Sequence, residues 1–184
     1  MNNITKLNRK KITVSITFIS ITLIMGVFKW GFIPLEMHTL LGSVTLMHLP
    51  VIIAGICAGP FAGAVSGLVF GYFSMNYFPG FNNIMYFLPR VLIGPVAYMA
   101  FHLSCYLFNK IKNCSCSNYL SAFTASITAT LTNTFGVLLT GYYFKFIDND
   151  IIRETLITHA LPELIVSVII IPPIVIGINA YLKS

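Results

Sequence analysis

The chain has 184 residues, of which 57% are hydrophobic and 9% are charged, and its mean hydropathy is +0.84. Soluble domains carry about 25% charged residues, so this composition excludes an ordinary water-soluble domain. We expect an all-α polytopic membrane protein, with residues 1–184 forming a single integral membrane domain. The net charge of +6 would favour nucleic-acid binding in a soluble protein. Here we attribute it to Lys and Arg at the cytoplasmic ends of membrane spans, and we expect no nucleic-acid partner.

The first predicted span is an apolar run over residues 12–28, preceded by four basic residues within 6–11. This arrangement is similar to a signal peptide, but the residues after the run, Val27-Phe28-Lys29-Trp30, are too bulky for the usual cleavage site. We therefore interpret the run as the first transmembrane helix. Its length of roughly 17 residues is at the short limit for a span.

A glycine-rich segment over residues 48–74 contains no Asp, Glu, Lys or Arg. Small residues at four-residue spacing let helices approach closely in a bilayer. Pro60 interrupts the segment, because a proline inside a helix removes a hydrogen bond and clashes with the preceding turn. We predict two close-packed spans, 44–58 and 60–78, joined by a reversal at Gly59-Pro60. The glycines predicted to form the packing faces are Gly55, Gly59, Gly63, Gly67 and Gly71.

The fourth span is predicted to begin at Pro89, since proline suits the first turn of a helix, and to end at Phe108. Pro172-Pro173 is expected to kink the last span. The remaining predicted segments are a loop over 79–83, a basic loop over 110–118, span five over 119–144, a charged loop over 145–154, and span six ending at Tyr181.

The distribution of charge predicts six spans with both termini in the cytoplasm of a cell-membrane protein. If residues 48–78 formed one kinked span instead, Lys110 and Lys112 would lie outside and the asymmetry would vanish. With six spans the cytoplasmic basic residues are Lys6, Arg9, Lys10, Lys11, Lys110, Lys112 and Lys183. The outer side then carries Lys29, Arg90, Lys145 and Arg153, and every acidic residue: Glu36, Asp148, Asp150, Glu154 and Glu163.

Neither metal nor nucleotide chemistry is indicated. Cys114 and Cys116 form a C-x-C pair that lacks the usual zinc spacing, so we interpret them as free thiols and expect no metal and no cofactor. The sequence has no GxxxxGK[ST] motif, so this chain is not expected to hydrolyse ATP. Active uptake would therefore require partner subunits.

Two polar residues inside the predicted spans are candidates for ligand binding, because polar groups are unfavourable there. Arg90, in the predicted first turn of span four, would hold an anion together with the positive helix end. The alternative is an interfacial Arg that snorkels to water or pairs with a lipid phosphate. Asn133 lies near the middle of span five, on one stripe with Ser126, Thr130 and Thr140. There the alternative is a hydrogen bond that only holds helices together.

The other candidates lie towards the outer side. His159 and Glu163 are four residues apart on one face of span six, although Glu163, after Pro162, would also suit a helix start. For His48, Glu36 and His38 an interfacial position is favoured. Tyr86 belongs to a group of outer aromatic residues that would form the interfacial belt or stack on a ligand. Arg90 and Asn133, together with His159 and Glu163, predict a pocket for a small zwitterionic or anionic molecule at the outer side.

Several motifs resemble the substrate-binding S subunits of energy-coupling factor (ECF) vitamin transporters. They are HLPVIIAG from His48, GPxxGA from Gly59, GxxxG from Gly67, LPRVLIG from Leu88 and TNT from Thr132. The resemblance covers nearly the whole chain and is strongest for pantothenate-type subunits. It implies a bundle that binds a vitamin at the outer side and docks onto a transmembrane coupling subunit and two ATPase subunits. Span one lacks the family's docking motif Ala-x-x-x-Ala, for which Thr13 and Thr17 are the nearest small pair.

Alternative functions come from other classes of protein. An MreD-like scaffold of the cell-shape machinery has a similar size and would need no ligand pocket. An intramembrane serine protease would need Gly-x-Ser-Gly, where this chain has Ala64-Val65-Ser66-Gly67. Within the resembled family, folate, riboflavin and pyrimidine or pyridoxine precursors remain alternative ligands to pantothenate.

Overall fold

The protein, described by a computed structural model over residues 2–34, 43–78, 83–112 and 117–184, is a bundle of helices with one short pair of strands. The helices in chain order are α1 (Asn2–Val27), α2 (His48–Ala58), α3 (Pro60–Tyr77), α4 (Asn83–Lys112), α5 (Ser117–Tyr143), α6 (Asn149–Thr155) and α7 (Leu161–Lys183). A π turn, Leu156–Ala160, joins α6 to α7 without a break in the helix. The predicted helical class is confirmed in this part of the chain.

Strands β1 (Phe32–Pro34) and β2 (Ser43–Thr45) pair antiparallel between α1 and α2, with Phe32 opposite Thr45. This ladder corrects the prediction that a membrane span begins at residue 44. The helix begins only at His48. Three-residue strands are too short to show an alternating pattern in the sequence, which explains why they were not predicted.

Within the described residues, four helical segments are long and apolar enough to cross a membrane: Thr5–Val27, Ile84–Lys110, Ser117–Tyr143 and Asn149–Lys183. They establish a multi-pass membrane protein. Helix α2 has 11 residues and spans only about 16 Å at 1.5 Å per residue, about half of a bilayer core. The count of six spans therefore stays a prediction.

Helix α4 begins at Asn83, so the prediction that Pro89 starts it is wrong. Both Pro89 and Pro95 lie inside the helix. Pro89 packs against α5, where a Cβ added to Gly136 would lie 2.6 Å from the Pro89 Cβ. Transmembrane helices tolerate interior prolines when neighbouring helices pack around the altered backbone. Arg90 is consequently nearly two turns inside α4 and has no free helix terminus beside it.

Two predicted loops are shorter than expected. The basic loop predicted over 110–118 is shorter, because α4 continues to Lys112 and α5 starts at Ser117. The charged loop predicted over 145–154 is partly helical, because the Asp148 side chain caps α6 by accepting a hydrogen bond from the Ile151 N–H at 3.2 Å.

The glycines within α2 and α3 face α4, whereas Gly59 between the two helices does not. A Cβ on Gly63 would lie 2.7 Å from the Gly94 Cα, and one on Gly55 or Gly67 would collide with the carbonyl of Gly94 or Arg90, respectively. Gly71 similarly approaches Phe87. Gly59 does not pack: an added Cβ would meet nothing within 4 Å, and its φ of 118° instead forms the reversal between α2 and α3.

The first helix and the last helix meet at one end of the bundle. Lys10 Nζ, near the start of α1, donates a hydrogen bond to the Tyr181 carbonyl of α7 at 2.8 Å. Strands β1 and β2, helix α6 and the start of α7 lie towards the opposite end. The candidate site is there.

Candidate functional site

A small cavity lies where α4, α5, β2 and the π turn meet the start of α7. Its volume is about 30 Å³, room for about two water molecules. The wall combines buried polar groups with apolar side chains. The lining residues are Thr45, Phe78, Arg90, Asn133, Thr134, Val137, Thr155, His159 and Glu163. Four of the six ligand-binding residues proposed from the sequence (Arg90, Asn133, His159 and Glu163) thus meet at one cavity.

Arg90 places a buried cation on the cavity wall, with only 4% of its surface exposed. The guanidinium carbon lies 4.8 Å from the centroid of the Phe70 ring and 6.0 Å from that of Tyr86, so aromatic faces support the charge. Nη1 donates to the Asn133 carbonyl at 3.3 Å. Nε has no hydrogen-bond partner among the described residues. A guanidinium has five N–H donors, so this buried Arg has donor capacity to spare.

Neither earlier interpretation of Arg90 therefore holds as stated. Burial excludes an interfacial Arg that snorkels to water, and the interior position in α4 excludes a free helix N-terminus beside the guanidinium. The support comes instead from the two aromatic rings.

Asn133 lies between the two buried charges of the site. Its Nδ2 donates to Glu163 Oε2 at 3.3 Å, while its main-chain carbonyl accepts from Arg90. Glu163 and Arg90 interact electrostatically, and Asn133 forms a hydrogen bond with each of them. With the amide in this orientation, Oδ1 is buried and has no partner among the described residues. An acceptor is thus available beside the incompletely satisfied guanidinium.

Glu163 ties α7 to strand β2. Its Oε1 accepts hydrogen bonds from the Thr45 N–H at 2.7 Å and from Thr45 Oγ1 at 2.8 Å. The alternative of a helix-start cap is wrong, because the helix runs continuously from α6 through the π turn into α7. With the Asn133 bond, three protein donors already surround this carboxylate. Its negative charge is well satisfied by hydrogen bonds, whereas the Arg90 guanidinium keeps a buried Nε without a hydrogen-bond partner among the described residues.

The π turn brings His159 to the same wall as Glu163. His159 and Thr155 are 3% and 2% exposed, and both line the cavity. In a regular α-helix, residues 155, 159 and 163 would drift by about 80° around the axis over two four-residue steps. The wider π turn reduces this drift, and such turns occur frequently at functional sites. No sequence signal marked the turn.

His48 and Tyr86 were proposed as ligand-binding residues, but neither lies on the cavity wall. His48 is fully buried, and its Nδ1 lies 2.7 Å from the Thr45 carbonyl. Tyr86 is also fully buried and stacks on Phe78, with ring centroids 5.2 Å apart. Both residues therefore support a wall residue from behind.

The polar stripe of α5 serves two purposes. Thr130 Oγ1 donates to Ser167 Oγ of α7 at 2.9 Å, so this residue holds helices together. Ser126 and Thr140 bond to carbonyls of their own helix. Only Asn133 reaches the cavity from this stripe. The adjacent Thr134, together with Thr45, Val137 and Thr155, was not predicted for the site, whereas Phe78 belongs, like Tyr86, to the outer aromatic group expected in the interfacial belt or against a ligand.

Other predictions concern residues that cannot be placed or that stay apart from the site. Glu36, His38, Cys114 and Cys116 lie outside the described residues. Cys57 and Cys105 are free thiols. Among the described residues, no group of three His, Cys, Asp or Glu side chains is arranged to hold a metal ion.

Comparison with known proteins identifies the family. The family model described as "ECF transporter, substrate-specific component" matches residues 10–175 of this chain. The chain is also 30% identical over 159 residues, covering 71% of this chain and 75% of the relative, to the pantothenic acid transporter PanT of Lactococcus lactis subsp. cremoris (strain MG1363). This chain therefore belongs to the family of substrate-specific components of ECF transporters. Such components bind small vitamin substrates and work with membrane and ATPase subunits.

The protein is accordingly a membrane transport component and not an enzyme. The resemblance drawn from the sequence motifs is confirmed, and the protease alternative is wrong. The family match likewise removes the basis for the scaffold alternative.

Proposed function

We propose that this protein captures pantothenate at the outer side of the cell membrane for ATP-driven uptake. The observation that carries the proposal is the buried Arg90 guanidinium, which faces the cavity with unused donors. Pantothenate has one carboxylate, an amide, two hydroxyl groups and a geminal dimethyl group. A planar guanidinium binds a carboxylate through paired, charge-assisted hydrogen bonds. The name of the Lactococcus lactis relative supports the same ligand.

The other residues that line the cavity match the remaining groups of pantothenate. Asn133 Oδ1 is free to accept a hydrogen bond from a ligand amide or hydroxyl. Thr134, Thr155 and His159 would serve the other polar atoms. Phe78 and Val137 provide apolar surface for the dimethyl group. Glu163 is already surrounded by protein donors, so it does not compete strongly with the ligand for Arg90.

Binding requires the wall to open. Ligand pockets generally have volumes of about 300 Å³ or more, ten times the volume of this cavity. Phe78 is the wall residue best placed to move, because it is the C-cap of α3 rather than an interior helix residue. We infer that Phe78 swings away from Tyr86 as the ligand enters.

Uptake would depend on partners, because the sequence has no nucleotide-binding motif. A transmembrane coupling subunit and two ATPase subunits would supply the energy. The proposed orientation has six spans and cytoplasmic termini, which puts the cavity at the outer side. Thr13 and Thr17 are exposed on α1, and their hydroxyls bond back to main-chain carbonyls. They therefore present a small, internally satisfied surface for docking. The glycines of α3 face α4 and are not free for this purpose.

Titration of the detergent-purified protein with pantothenate tests the proposed ligand. Folate, riboflavin, pyridoxine and a thiamine pyrimidine precursor serve as competitors of different shape and charge. We expect saturable binding of pantothenate that a large excess of the others does not displace. Tight binding of one competitor, with no binding of pantothenate, would contradict the assignment while leaving the family unchanged.

A further inference from the structure

Two adjoining cavities open at the end of the bundle where α1 begins and α7 ends. Their volumes are about 410 Å³ and 220 Å³, and Leu7, Leu182 and Lys183 line both of them. We call the combined space the basic cleft. It lies between the first turns of α1, the last turns of α7 and, in the smaller part, the α2–α3 reversal and α4. It is therefore separate from the vitamin site at the opposite end.

Four lysines line the basic cleft, and the ammonium groups of two of them make no hydrogen bond among the described residues. Lys6 and Lys10 donate to main-chain or hydroxyl oxygens of α7 and Ser184. The side-chain ammonium groups of Lys11 and Lys183 have no hydrogen-bond or ion-pair partner within the described part of the chain. The acidic side chains that the structure describes all belong to α6, its cap or the start of α7 at the other end. The cleft therefore carries positive charge that no described side chain neutralises.

The same cleft has an apolar side. Ile56, Phe101 and Leu182 contribute to its lining. Leu7 of α1, which lines both parts of the cleft and is 39% exposed, adds to this apolar surface. A ligand that fits must combine an anionic head with a hydrocarbon body. Free inorganic phosphate satisfies only the first requirement.

We propose that the basic cleft is a binding site for the phosphate headgroup of an anionic phospholipid. Lys11 and Lys183 contact the phosphate, and the upper acyl carbons lie against Leu7 and Leu182. Basic pockets between transmembrane helices are a recurring solution for binding anionic headgroups. Because the lipid would bridge α1 and α7, it would also fasten the two ends of the chain to each other.

Lipid retention by purified protein tests this site. Native mass spectrometry would compare phosphatidylglycerol with phosphatidylcholine of the same chains on the parent and on a Lys11→Gln/Lys183→Gln variant. Each basic residue near an anionic headgroup strengthens lipid binding. Loss of both lysines should therefore lower the affinity for phosphatidylglycerol by about 30-fold. We expect the parent to retain one phosphatidylglycerol in preference to phosphatidylcholine, and the variant to lose that preference.

The matched control is Arg9→Gln/Lys110→Gln. It removes the same charge at the same end of the bundle, but neither residue lines the cleft. We expect this control to keep the preference. An equal loss in both variants would overturn the site and leave only general attraction to anionic membranes. Unchanged lipid retention in the cleft variant, with weakened co-purification of the energising subunits, would overturn it in favour of a protein contact.

A second measurement keeps the proposal testable if the cleft variant does not fold. Short-chain phosphatidylglycerol should raise the thermal midpoint of the parent protein, and about 0.5 M salt should reduce the effect by screening. Neither short-chain phosphatidylcholine nor inorganic phosphate should reproduce it. Equal stabilisation by inorganic phosphate would contradict a lipid site, and no stabilisation by phosphatidylglycerol would overturn the proposal.

Discussion

Helix α4 has two buried faces that differ in kind. Towards α2 and α3 it meets glycines, and backbone packs on backbone where Gly55 and Gly63 approach Gly94 and where Gly67 approaches the Arg90 carbonyl. Towards α5 and α7 it presents Arg90, a buried guanidinium with unused donors. The first face is what close packing in a membrane requires. The second is unfavourable for packing alone, so it is better explained by a ligand that completes it.

The two faces meet at a single residue. A Cβ on Gly67 would collide with the Arg90 main-chain carbonyl, while the Arg90 side chain lines the cavity. The glycine contact therefore fixes the position of the backbone from which the guanidinium projects. A change at the packing face should affect stability first and binding second. A change at the site should do the reverse.

The largest effect should come from Gly67→Leu. Overpacking typically costs roughly 1–3 kcal/mol, and this variant should exceed the upper end of that range because the new side chain would have to displace the backbone of α4 at Arg90. We expect a marked fall in thermal midpoint and in yield. The matched control is Gly177→Leu, since a Cβ at Gly177 in α7 meets nothing within 4 Å. If the two variants were equally stable, close α3–α4 packing would be refuted.

A smaller effect is expected from Glu163→Gln. The change keeps the shape but replaces an acceptor oxygen by a donor amide among Thr45 and Asn133, which already donate to it. Loss of charged hydrogen bonds of this kind costs about 1.5–3 kcal/mol of unfolding free energy. We expect lower thermal stability but a retained preference for a carboxylate ligand, because Arg90 remains. A lost preference with unchanged stability would mean that Glu163 binds the ligand itself.

The smallest effect should come from Thr45→Val, which removes one hydroxyl donor to Glu163 and leaves the N–H donor in place. A single hydrogen bond contributes about 0.5–1.5 kcal/mol. Chemical unfolding should detect this loss. Thr128→Val, at an exposed position where the hydroxyl bonds only to its own helix, serves as the comparison. Equal stability of these two variants would argue against the β2–α7 connection.

Hydropathy and helix-breaking residues predicted the helices well. The length of an apolar segment and the position of a helix-breaking residue can both be read directly from a sequence. The reversal at Gly59-Pro60 is the clearest example. The start of α4 was placed wrongly because Gly136 accommodates Pro89 inside the helix, and Gly136 lies on another element. Local rules on proline contain no information about that partner.

The candidate site was predicted in part for a similar reason. Arg90, Asn133, His159 and Glu163 stand out because charged or amide groups are rare within apolar spans. Thr45 and Thr155 do not stand out, since threonine is common at many positions in membrane helices and loops. Their roles depend on a short strand and a π turn. Both features arise from tertiary packing rather than from local periodicity.

The most direct test of the central assignment compares pantothenate with panthenol, its alcohol analogue without the carboxylate, on the parent and on Arg90→Ala. A charge-assisted hydrogen bond in a buried site contributes about 1.5–3 kcal/mol, or about 10- to 150-fold in affinity. We expect the parent to favour pantothenate by such a factor, Arg90→Lys to retain part of it, and Arg90→Ala to bind both molecules alike and weakly while staying folded. An undiminished preference for pantothenate in Arg90→Ala would contradict the account.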